Sequence, residues 1–155
     1  MKKSKKSIGN AVRSKTQIRN SKAKGSQFEY DVLESLQQIY PDMYLTSKQG
    51  FQQQYDLRDD NSCIVVECKR HKSISWNQAE KWFKKLRDKA PKQYEYYLIF
   101  KSNQQPVLVM YETFDIDEGE HNVFFKKSIL VEKFESYFGV PFKKHTPIRK
   151  RDKNE

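Results

Sequence analysis

At 155 residues, of which 36% are hydrophobic and 32% charged, the chain has the size of one domain with tails. No apolar run is longer than Tyr96-Tyr97-Leu98-Ile99-Phe100, and the basic start lacks the apolar stretch of a secretory leader, so a transmembrane span is excluded and a soluble, intracellular protein expected. The formal charge of +10 is unevenly placed: residues 1–24 carry nine basic and no acidic residues, residues 143–155 carry six and two, and 25–142 keep fifteen basic against eighteen acidic.

Basic arms on a slightly acidic body suit a polyanion such as DNA or RNA, and they equally suit solubilising tails. Neither arm is amphipathic, which argues against a membrane surface as partner. Residues 1–23, polar and rich in Ser and Asn, read as a disordered arm, 24–142 as a single domain and 143–155 as a basic tail. Order is expected to begin at Lys24, with a helix whose Phe28, Val32, Leu36 and Ile39 share one side and which ends before Pro41. Residues 43–58 read as one or two short strands with a turn near Gly50. Asp59 to Ser62 is turn chemistry, and Cys63 to Lys69 is the best strand of the chain.

A second helix is expected from Ser75 to Ala90, with Trp76, Ala79, Phe83, Leu86 and Ala90 as its apolar stripe. Two strands follow, "QYEYYLIF" and "QPVLVMY". After them come an acidic loop, "DIDEGEH", a short strand at Val123–Phe125, and a last helix from Ser128 to Phe138 stopped by Gly139. The order αβββαββ with a β-α extension predicts an α/β (α+β) fold, a mixed central sheet flanked by helices. Cys63 and Cys68, placed on one strand, fall on opposite faces about 17 Å apart, too far for a disulfide. Cys68 and His71 have no second ligand pair for zinc.

The strand Ile64-Val65-Val66 runs straight into Glu67 and Lys69, charges that are costly beside a core unless paired or bound. If Asn61 and Ser62 form a two-residue turn, Asp56 stands opposite Glu67 with side chains about 5 Å apart, and Lys69 shares their face. Two carboxylates so close repel each other, and a divalent cation removes the conflict. Their hard oxygens suit Mg²⁺ or Mn²⁺. The competing reading is a surface hairpin with a solvated salt bridge. Glu29 is ambiguous as well, because Ser26 and Glu29 have the spacing of a capping box.

"KGSQFE" opening a first helix, then Asp56, Glu67-x-Lys69 on a hairpin, and then a helix bearing Gln78 resembles the small Holliday junction resolvases of archaea and phages, of the PD-(D/E)XK nuclease superfamily. The resemblance spans about Lys24 to Met110. It implies a restriction-endonuclease-like fold and a catalytic set of Glu29, Asp56, Glu67 and Lys69. It also implies a metal held by Asp56, Glu67 and the Cys68 carbonyl, with Glu29 on a second ion or a water. Lys24, Lys48, Gln78, Lys81 and Lys85 become candidate DNA contacts, although a surface glutamine and a solvated lysine face are the default readings of the last three. Tyr30 stands where the family often has Arg, and "FQQQYD" replaces its usual glycines.

The expected reaction is Mg²⁺-dependent hydrolysis of branched DNA. Symmetric cutting of two strands needs two active sites, hence a homodimer, with Tyr94, Tyr96 and Phe114 as interface candidates. Two other readings fit the same charge pattern. One is a superfamily nuclease acting in restriction, nicking repair or single-strand trimming. The other is a non-catalytic nucleic-acid-binding protein.

Overall fold

Phe28, Val32 and Leu36 recur at helical spacing, and all three are buried. The computed structural model describes residues 15–49, 55–121 and 123–144. Helix α1 spans Lys15–Leu36. Strands β1 (Tyr44–Leu45), β2 (Leu57–Asp59) and β3 (Ile64–His71) follow, with a 3-10 turn, Thr46–Gln49, after β1. Then come α2 (Trp76–Lys89), β4 (Glu95–Ser102), β5 (Leu108–Glu118), β6 (Val123–Lys133) and the short α3 (Phe134–Phe138). This is the predicted element order.

The six strands form one mixed sheet in sequence order. Among the described strands only β3 and β4 are parallel, because α2 carries the chain back between them. Helix α1 covers one face, where Phe28, Val32 and Leu36 meet Ile64, Val66, Cys68, Ile99 and Val109. Helix α2 covers the other, where Ala79 and Phe83 meet Leu98, Phe100 and Met110. Alternation along β3 therefore turns Cys68 toward α1, and Glu67 and Lys69 toward α2. Among the described residues no helix is long and apolar enough to cross a membrane.

Several boundaries differ from expectation. Helix α1 begins at Lys15 rather than Lys24, so it takes in part of the expected arm. Lys, Gln, Arg and Ala in that stretch are good helix formers, and a helix seated on a sheet propagates past Gly25 at modest cost. Ser26 is thus mid-helix and caps nothing. The helix closes at Leu36, and Ile39 lies beyond it, 36% exposed. Trp76 is 51% exposed, outside the buried stripe of Ala79, Phe83 and Leu86, and its Nε1 donates to Glu80 at 2.7 Å.

Cys63 lies in the turn before β3, at φ 55°, not in the strand, and both thiols are free. The turn has four residues, 60–63, rather than two. The buried Asp59 carboxylate shapes it by accepting from the Asn61 amide at 3.0 Å and the Ser62 amide at 3.4 Å. The expected acidic loop and the first half of the last helix are instead one long hairpin, paired from Leu108↔Lys133 to Glu118↔Val123. Opposed charges such as Asp115↔Lys126 and the apolar run Ile129-Leu130-Val131 favour strand there. The stop signal holds, with Gly139 left-handed at φ 72°. The turn expected near Gly50 lies outside the described residues, as do residues 1–14 and 145–155 of the arms.

Of the interface candidates, Tyr94 donates to Asp60 at 2.8 Å and Tyr96 donates to Glu112, while Phe114 is 58% exposed.

Candidate active site

Leu57, Arg58 and Asp59 pair with Val66, Val65 and Ile64, and Asp56 lies just before this ladder, bulged out of its register so that it faces Val66 together with Leu57. The Asp56 backbone is fixed on both sides. Its amide donates to the Val66 carbonyl at 3.0 Å, and its carbonyl accepts from the Thr46 amide at 3.0 Å and from Thr46 Oγ1 at 3.2 Å. Its side chain lies against β3, where Oδ2 accepts from the Cys68 amide at 2.8 Å. No described strand pairs with β3 beyond this point on the β2 side.

Glu67 lies within side-chain reach of Asp56, so the two carboxyl groups interact directly. Burial first, then Asp56, raises the Glu67 carboxyl well above the ordinary carboxylate range, against the opposing charges of Lys69 and Lys89. Glu29 reaches the same place from α1. Burial and then the Asp56 charge push its carboxyl up to about 7, with Lys69 pulling the other way. Lys69 extends toward α2, its Nζ 5.3 Å from the centre of the Trp82 ring. The structure thus brings Asp56, Glu67 and Lys69 together, with Glu29 within electrostatic reach of Asp56 and Lys69. Because Ser26 is inside α1, the capping alternative for Glu29 falls away.

The Cys68 thiol is buried, and desolvation followed by the neighbouring carboxylates raises its pKa well above normal. It is a poor thiolate ligand. The backbone is a different matter, since a strand residue's amide and carbonyl point to one side and this amide already faces Asp56. Among the described residues no group of three or more His, Cys, Asp or Glu side chains is gathered for a metal. The site instead offers two carboxyl groups and a carbonyl, all hard oxygens, with a buried negative-charge conflict. That set fits Mg²⁺, which is commonly held by one or two carboxylates and keeps several waters.

The remaining candidates are placed less closely. Gln78 is half-buried on α2, and Lys81 and Lys85 are exposed there. At about 3.6 residues per turn, Gln78, Trp82, Lys85 and Lys89 form one stripe, the stripe that touches Lys69 through Trp82. Lys24 is exposed on α1, more than a turn before Glu29. The Lys48 side chain lies outside the described residues.

Two residues of the site were not anticipated: Thr46 and Trp82. Trp82 could have been found by extending the helical stripe from Gln78, whereas nothing local marks Thr46. In comparisons with protein-family models, curated proteins and solved structures, the chain matches none.

Proposed function

We propose that this chain is a structure-selective DNA endonuclease that resolves four-way junctions by Mg²⁺-dependent phosphodiester hydrolysis, with Mn²⁺ able to substitute. In this reading the sheet is restriction-endonuclease-like and the active form a homodimer. The observation that carries the chemistry is the convergence of Glu29, Asp56, Glu67 and Lys69 at the β3 edge beyond the end of β2. A pure phosphate binder gains nothing from a close pair of carboxyl groups beside its ligand, with a third carboxyl in electrostatic reach. Branched DNA as the substrate is supported by the resolvase-like order of these residues and by basic arms at both ends.

Asp56, Glu67 and the Cys68 carbonyl would hold the cation, with Glu29 on a second ion or on a water. When bound, the cation polarises the scissile phosphate and lowers the pKa of the attacking water. Lys69 orients the water or offsets charge growing on the phosphorus, and Trp82 beneath its ammonium limits its wandering. Thr46 keeps Asp56 from rotating away.

The test compares labelled four-way junction, linear duplex of equal length and single strand, each with Mg²⁺ or with EDTA. Paired nicks near the branch, in Mg²⁺ alone, are expected. Equal cutting of duplex and junction would favour a superfamily nuclease with another role. Binding without cutting of any substrate would favour the non-catalytic reading.

A further inference from the structure

On the α1 side of the same strands, cations gather without counterions. Arg70 and Lys101 are register neighbours on the parallel strands β3 and β4. Both follow residues of the α1 core, Cys68 and Ile99, by two positions, so both project to that face. Lys101 Nζ donates to the carbonyls of Gln105 at 2.9 Å and Ser102 at 3.4 Å, and Arg70 Nη1 donates to the His71 carbonyl at 3.1 Å.

Lys144 arrives from the C-terminal stretch, which is fastened to α1 next door. The Lys143 amide donates to Ser35 Oγ at 2.8 Å, and that hydroxyl lies 3.1 Å from the Lys143 carbonyl. Burial, then the Arg70 and Lys144 charges, lower the Lys101 pKa, so each of those two cations acts on Lys101. Among the described residues none of the three is ion-paired to a carboxylate. Like charges held together without a counterion are a standing cost, and a bound anion removes it. The donors are there to meet one. Lys101 keeps an N–H beyond its two carbonyls, and Arg70 has most of its five unused. The place is also the carboxyl end of two parallel strands, where open α/β sheets seat their ligands.

We infer that Arg70, Lys101 and Lys144 form a second phosphate site, which holds a non-scissile phosphate of the bound DNA on the α1 face of the sheet. This rests on the nuclease reading above.

The test is a titration of labelled junction and duplex in EDTA over a range of salt. It compares the wild type, the double variant Arg70→Gln/Lys101→Gln, the single variant Lys144→Gln, and a control of equal charge loss, Lys92→Gln/Lys126→Gln, at exposed positions away from the cluster. The slope of log K against log salt should flatten by about 2 in the double variant and by about 1 in Lys144→Gln, at ~0.9 per phosphate contact, and hardly at all in the control. Lys144 is exposed, so its variant reports binding even if the double variant is impaired in folding. A wild type that binds DNA while the site variants lose no more slope than the control overturns the second site and leaves the nuclease reading standing. A wild type that neither binds nor cuts DNA overturns that reading, and this inference with it.

Discussion

Asp56 is set in place before any ligand arrives: Thr46 and Val66 fix its backbone, and the Cys68 amide fixes one carboxyl oxygen. Its partner Glu67 is left in conflict with it, and that conflict is measurable. Glu29 and Glu67 both bind protons more tightly folded than at their ordinary value of 4.5. Between the ordinary and the folded pKa the folded state therefore holds more protons than the unfolded one, and stability falls as pH rises through that window. In metal-free buffer at pH 8, Glu67→Gln should melt above the wild type by ~3 °C, about 1 kcal/mol after allowance for solvent screening. The difference should vanish near pH 4. Added Mg²⁺ should raise the wild-type Tm but not that of the variant. Equal melting of the two proteins at both pH values would show that the carboxyl pair is relaxed. Lys69→Ala should reduce cleavage by ~100-fold or more, and Lys69→Arg should not restore it, because a planar guanidinium cannot replace a compact ammonium over Trp82. Turnover of Lys69→Ala near that of the wild type would reduce Lys69 to a structural charge.

The reach of sequence reasoning is clearest from element to element. The register of β2 on β3 was legible because Ile64-Val65-Val66 and the turn residues leave one pairing that buries them. The α1 start was not, since "KGS" carries local cap chemistry and only docking on the sheet decides between capping and continuing. The hairpin of β5 and β6 was missed for a related reason: Ser128–Lys133 has apolar spacing that fits a helix turn, and its strand identity comes from partners across the ladder such as Glu112↔Ile129 and Asp115↔Lys126. The corrected α1 has consequences for stability. Gly25→Ala should stabilise by ~0.5–1 kcal/mol, because nothing lies within 4 Å of the added methyl in a helix interior. Ser26→Ala should be neutral within ~0.5 kcal/mol, whereas Ser75→Ala should cost ~1 kcal/mol, since Ser75 Oγ accepts from the Gln78 amide at the start of α2. Thermal melts of the three variants check this. A loss of ~1 kcal/mol for Ser26→Ala would restore the capping box, and with it the competing role for Glu29.

Across the whole molecule charge is unevenly divided: a slightly acidic body carries the carboxyl cluster, and the basic ends carry the net positive charge. Deleting residues 1–14, with Lys2, Lys3, Lys5, Lys6 and Arg13, should weaken DNA binding and flatten its salt slope by no more than ~4, without lowering Tm. An unchanged slope would make the arm a spectator. Everything above depends on whether the cluster at the β3 edge cuts DNA. The most direct measurement compares wild type and Glu67→Gln on a labelled four-way junction in Mg²⁺, at protein concentrations that bind the DNA equally. The account predicts paired nicks near the branch from the wild type, and from the variant a bound junction left intact. Cleavage by Glu67→Gln within tenfold of the wild type would contradict it.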